Sequence, residues 1–283
     1  MAPRIFATTG GGVRIGGSFG AELEGERLGK FDPSVFDYYI GTSSGSLDAA
    51  LTANGWSARQ KVDFFIENNF TQFFTPPWMP FSLRKALTLF APIQLKKFAD
   101  YIDGLNLTPL PGLLINAVDS QLNKQVVYCE KKPDWWVDIP GTALRENAFS
   151  DLGYGTILTR SMALPGLRAD HPKFKDGGFA ENTILTMIPR DADILMINLG
   201  YAGDTQWPSG NTFPLMALED LLYLIEYKNY YYVRFISTHF PNLKTIYPSI
   251  FDVDSTTFNL TQSEKTSMVE RAMANTSAQW QAL

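Results

Sequence analysis

Phe36-Asp37-Tyr38-Tyr39-Ile40-Gly41-Thr42-Ser43-Ser44-Gly45 decides how this chain is read. Phe36 to Ile40 is an aromatic, apolar run suited to a strand. Ser44 to Asn54 alternates small and apolar residues at helical spacing, and Gly55 stands where a helix C-terminal glycine belongs. Between them lies Gly41-x-Ser43-x-Gly45, the pattern of a nucleophile elbow. In an elbow the chain leaves a strand, turns sharply and enters a helix, so the serine hydroxyl stands proud of the sheet. A side chain at Gly41 or Gly45 would collide across so tight a turn. Of the neighbouring serines, only Ser43 has glycine two residues away on both sides, which makes it the expected nucleophile.

Upstream, Gly10-Gly11-Gly12-Val13-Arg14 follows Ile5 to Thr8, an expected first strand. Attack on an ester carbonyl builds negative charge on oxygen, which preorganised backbone N–H groups must meet. Consecutive glycines let several amides face one concavity at the C-terminal edge of a parallel sheet, where ligands bind in such folds. A nucleotide cradle is the competing reading, and it fails on residue identity. A dinucleotide fingerprint from Gly10 needs glycine where Ile15 stands, and Gly16-Gly17-Ser18 lacks the lysine of a P-loop.

A serine nucleophile needs a base. The chain has only two histidines, His171 and His239. Ser43, Asp176 and His239 follow the order of an α/β-hydrolase triad, although about one strand precedes this elbow where those enzymes place several. The alternative base is Asp176 itself, in Lys175-Asp176-Gly177-Gly178. A carboxylate held against the hydroxyl in a water-poor cleft gains proton affinity through desolvation. Taken alone, Asp-Gly is chiefly a turn signal.

Glycine triplet with Arg14, then Gly-x-Ser-x-Gly, then Asp-Gly-Gly, in this order over roughly residues 4 to 200, resembles the patatin-like phospholipase family. The resemblance implies a Ser–Asp dyad without histidine, with Ser43 as nucleophile and Asp176 as base. It also implies an oxyanion loop of Gly10, Gly11 and Gly12 with Arg14 beside them. Gly177, Gly178 and Asn182 would support the base. Two positions depart from the family pattern: Ile15 follows Arg14 where glycine is common, and Thr183 follows Asn182 where proline often stands. The implied activity is phospholipase A-type hydrolysis of a phospholipid or other acyl ester. A soluble carboxylesterase or lysophospholipase is the alternative, and a non-catalytic scaffold a further one.

Composition agrees with an enzyme of this kind. Of 283 residues, 45% are hydrophobic, enough for a large core. A net charge of −5 argues against nucleic acid as partner. One cysteine, Cys129, excludes a disulfide framework and is expected in a strand. No Cys/His cluster suggests a metal, and no cofactor is implied. No apolar run reaches the ~18 residues of a membrane span, and the first twenty residues lack a signal peptide's core. A reducing, cytoplasmic setting is expected, peripheral to a membrane if the substrate lies there.

Strands alternating with helices predict an α/β/α sandwich, a three-layer domain with a largely parallel central sheet. Leu113–Val118 and Gln125–Glu130 read as a hairpin, and Asp193–Leu199 as a buried strand. Helices are expected at Ala58–Phe70, at Leu218–Ile236 and from Thr261, where Thr261-x-x-Glu264 forms a capping box. The organisation read from this is one domain over 1–283, with an aromatic excursion at about 70–98 and a helical region at about 215–283. In the excursion, Trp78 and Phe81 beside Arg84 and Lys85 suit contact with a membrane surface, against the plainer reading that the aromatics cover the core. Trp135-Trp136 after Lys131-Lys132 carries a similar pair of readings.

Overall fold

The computed structural model describes residues 2–74, 93–164, 167–200, 235–250, 252–253 and 257–283. Trp78, Phe81 and most of the helix expected at 218–236 lie outside the described residues.

The chain runs β1 (Arg4–Thr8), α1 (Ile15–Arg27), β2 (Tyr38–Thr42), α2 (Ser44–Ala53), α3 (Ala58–Glu67) and α4 (Thr71–Phe74). It continues through β3 (Ile93–Gln94), α5 (Lys96–Asp103), β4 (Leu113–Asp119), β5 (Lys124–Cys129), β6 (Thr142–Arg145), α6 (Ala148–Leu152) and α7 (Tyr154–Ser161). Then come β7 (Leu167–Arg168), β8 (Phe174–Asp176), β9 (Asp193–Ile197), β10 (Leu243–Ile246) and α8 (Gln262–Gln281). Eight strands form one sheet in the order β10-β9-β1-β2-β4-β5-β6, with β8 also on β4; β3 and β7 pair separately. From β10 through β4 every pairing is parallel; β5 and β8 run antiparallel to β4. The architecture is therefore the expected α/β sandwich with a largely parallel sheet flanked by helices.

Strand periodicity divides the core. In β4, Leu113, Ile115 and Ala117 join the helix-covered layer with Phe19, Leu51, Phe65 and Ile157, while Leu114 faces the opposite layer with Ile5, Ala7 and Ile40. Each buried Leu, Ile or Phe among them contributes about 1.5–3 kcal/mol. Trp136 is buried in that opposite layer and Trp135 packs edge-on against Tyr38, so this pair serves the core. Phe70, Phe73 and Phe98, at the two ends of the aromatic excursion, are likewise buried.

Three expectations shift. The strand before the elbow begins at Tyr38 and includes Gly41 and Thr42, because the ladder with β1 and β4 runs to the turn. The helix from Ala58 stops at Glu67: Asn68 turns extended, and its side-chain amide donates to the Phe64 carbonyl at 2.8 Å. In the region expected to be helical, Leu243–Ile246 forms β10, whose register on β9 closes that sheet edge. The capping boxes at Ser57/Gln60 and Thr261/Glu264 are both formed. Among the described residues, no helix is long and apolar enough to cross a membrane.

Candidate active site

The ladder that builds β2 ends at Thr42, opposite Asn116 of β4. Ser43 then takes φ 54° and ψ −130°, and α2 begins at Ser44. A left-handed φ at a non-glycine residue costs roughly 1–3 kcal/mol and persists only where its surroundings over-determine it. Gly41 and Gly45 supply the room. A Cβ on Gly41 would lie 2.4 Å from the Gly45 carbonyl oxygen, and one on Gly45 would lie 2.5 Å from that of Thr9.

Sheet topology brings Asp176 to this turn. β5 covers one edge of β4 from Leu114 to Asp119. β2 occupies the other edge as far as Asn116, and β8 takes that vacated edge from Ala117 onward, with Asp176 opposite Ala117. Where β2 peels away at Ser43, β8 therefore delivers Asp176. The Ser43 Oγ donates to Asp176 Oδ2 at 2.5 Å, and the Gly178 N–H donates to Asp176 Oδ1 at 2.8 Å. Burial pushes the Asp176 carboxyl up to about 7, against the opposing pull of the Ser43 and Gly178 hydrogen bonds. Among the described residues, no cation contributes to this balance.

Neither histidine joins them. His171 is exposed and its Nδ1 accepts from the Lys173 N–H at 3.2 Å. His239 is exposed, with Nδ1 3.2 Å from the Phe235 carbonyl. Both Asp176 carboxylate oxygens are engaged without them, so the Ser43–Asp176–His239 arrangement is not assembled.

The glycine loop lies against the elbow. The Gly10 N–H donates to Asn182 Oδ1 at 2.8 Å, and Asn182 Nδ2 returns a bond to the Gly10 carbonyl at 3.3 Å. The Gly11 N–H donates to Ser44 Oγ at 3.0 Å. Gly12, with φ 56°, lines the same pocket as Ser43, and its amide has no hydrogen-bond partner among the described residues. Arg14 is buried and turned elsewhere, its Nε donating to the Val253 carbonyl at 2.8 Å. Gly177 presses on Asn116, which accepts from Thr42 Oγ1 at 2.5 Å and donates to the Glu181 carbonyl at 2.8 Å. That amide side chain ties the end of β2 to the segment after Asp176.

Four residues at the site, Asn116 among them, escaped the sequence reading. Ser44 and Ser46 hold the loop and the Ser43 carbonyl, and Ser161 accepts the Ser43 N–H at 2.8 Å. Ser44 and Ser46 sit one and three residues from Ser43; Ser161 and Asn116 carry no local signal, because only long-range pairing brings them here.

An apolar pocket opens off Ser43, walled by Val13, Leu47, Phe65, Phe70, Phe98 and Phe258. Gly12, Ser43 and Ser44 line it on the side of the elbow and the glycine loop. Such a wall excludes water and accepts a hydrocarbon chain.

Behind the site, α1, α2 and α3 bury a second polar group. Lys61 Nζ bonds Glu22, Asp48 Oδ1 at 2.8 Å and Thr52 Oγ1 at 2.7 Å, and Ser18 donates to Asp48. Burial, and then the Asp48 charge, raise the Glu22 carboxyl well above its usual range. Burial opposes the Lys61 charge, but Asp48 and Glu22 outweigh it and raise the ammonium.

The family described as patatin-like phospholipase matches residues 7–188. No curated protein matches in sequence. Among solved structures, VipD from Legionella pneumophila is similar at 12% identity and TM-score 0.47, over 100% of this chain and 67% of its own. The type III effector protein ExoU is similar at 15% identity and TM-score 0.44, over 99% of this chain and 53% of its own. The glycine loop, the elbow and the Asp176–Asn182 segment all fall inside the matched residues, and the chain belongs to the patatin-like phospholipase family.

Proposed function

We propose that this protein is a lipid acyl hydrolase of phospholipase A type, acting through a Ser43 acyl-enzyme with Asp176 as general base. Family membership supports lipid-ester hydrolysis. The observation that carries the finer reading is the 2.5 Å hydrogen bond from Ser43 Oγ to a buried, cation-free carboxylate beside an apolar pocket.

An acyl chain enters the pocket and sets its ester carbonyl above Ser43. The Ser43 oxygen bonds the carbonyl carbon as its proton passes to Asp176 Oδ2. Charge collects on the former carbonyl oxygen, facing the glycine loop, where the Gly12 amide is unengaged. The intermediate collapses: the bond to the alkoxy oxygen breaks, and the departing alcohol takes the proton from Asp176. Water then loses a proton to the same carboxylate, attacks the acyl carbon and frees the fatty acid, returning the proton to Ser43. A carboxyl titrating at about 7 suits both roles near neutrality. Gly10, Gly11 and Asn182 serve in this reading as the frame that holds Gly12 in place.

Fluorophosphonate labelling followed by mass spectrometry tests the assignment. Covalent addition at Ser43 and none in Ser43→Ala is expected, with fatty acid released from diacyl phospholipid vesicles by wild type alone. Labelling that persists in Ser43→Ala overturns it. Release from lysophospholipid but not from diacyl vesicles moves the substrate class to single-chain esters.

A further inference from the structure

We infer that Ser161 is a positioning residue for the nucleophile, and that the turn from Ser161 to Ala163 sets the spacing between Ser43 and Asp176. This rests on the reading of those two residues given above. Ser161 is fully buried at the C-terminal end of α7, and its Oγ accepts the Ser43 N–H at 2.8 Å. Two residues on, the Ala163 carbonyl accepts the Asp176 N–H at 3.0 Å. Three consecutive residues thus hold, by their backbone amides, both residues whose side chains meet at 2.5 Å. Met162, between the two anchor points, lines the apolar pocket.

The strained turn explains why such a holder is needed. Ser43 has φ 54°, and its carbonyl is fixed by the Ser46 N–H at 3.0 Å and by the Ser46 hydroxyl. With Ser161 on the amide, both polar groups of the Ser43 backbone are held, so the left-handed conformation is over-determined. The same bond keeps the Ser43 amide away from the developing oxyanion, leaving that task to the loop. A shift of the Ser43 backbone would lengthen a contact across which a proton must move, and misplacements near 1 Å cost up to ~10²-fold in rate.

Ser161→Ala removes one oxygen and leaves the packing intact, while Ser161→Thr keeps the hydroxyl. Thr159→Val serves as control: Thr159 is also buried on α7, but its hydroxyl bonds the Thr156 carbonyl inside its own helix. Two measurements on all three variants decide the matter, amide hydrogen exchange at Ser43 by NMR and kcat and KM on p-nitrophenyl butyrate. In Ser161→Ala, exchange at Ser43 is expected to quicken about tenfold with loss of that hydrogen bond. Its kcat is expected to fall about 10- to 100-fold with KM within about twofold. Ser161→Thr should restore both, and Thr159→Val should move neither while lowering Tm. Unchanged Ser43 exchange in Ser161→Ala overturns the inference whatever the activity, as does an equal kcat loss in Thr159→Val. Absence of turnover in wild type would instead sink the hydrolase reading, and the exchange measurement would still decide the role of Ser161.

Discussion

Two of the buried carboxylate sites in this molecule differ in one respect: among the described residues, only one of the two has a cation. Glu22 and Asp48 share Lys61, with Ser18 and Thr52 completing the cluster. Asp176 has a serine hydroxyl and one backbone amide. In the first group, the Lys61 ammonium bonds both carboxylates and Thr52, tying α1, α2 and α3 together. In the second, burial is compensated only by two hydrogen bonds, and the carboxyl is pushed up to about 7. A carboxylate stripped of its counterion is a base; one beside a buried ammonium is a tie. The glycine loop opens α1 and Ser43 opens α2, so the tie fixes the helices on which the chemistry stands.

The largest test removes the base. Asp176→Asn should lower turnover by about 10⁴–10⁶, measured as fatty acid release, while His171→Ala and His239→Ala stay near wild type. Loss in His239→Ala with retention in Asp176→Asn would break the contrast between the two groups. Removing the tie is the next largest. Lys61→Met leaves two carboxylates in the core without a cation and should cost ~3–5 kcal/mol of stability by urea denaturation.

The pH profile sharpens the distinction. The base works only when ionised, so kcat/KM on a soluble ester should fall about tenfold per unit below about 7 and level off above it. Stability runs the other way. The unfolded carboxyl titrates near ~4, so between ~4 and about 7 the native chain holds a proton that the unfolded chain has lost. Stability therefore declines as pH rises through that window, and the loss persists above it. Asp176→Asn should accordingly be more stable than wild type at pH ~8, by on the order of 1–3 kcal/mol, with no gain at pH ~4. Thermal melts at the two values give the smallest of these effects.

Short-range features were legible because their physics is short-range. Gly41 and Gly45 announce the elbow since only hydrogen fits where the chain folds on itself, and Thr261-x-x-Glu264 announces its helix since the cap bonds span three residues. The end of the helix from Ala58 was harder to place, because Asn68 competes for the Phe64 carbonyl in a way that helical periodicity does not reveal. β10 was missed because its place depends on an exposed edge of β9 rather than on its own pattern.

The sequence alone determined the elbow, the glycine loop, the order of the motifs and the alternating strands and helices, all set by local sterics and side-chain period. Only the tertiary structure decided how Asp176 reaches Ser43 and that neither histidine joins them, since that depends on β8 entering the edge of β4 that β2 leaves. It alone also decided which amides the loop keeps unengaged and which hydroxyl holds the nucleophile's backbone. Hydrogen bonds between residues more than a hundred positions apart leave no trace in the spacing of either partner.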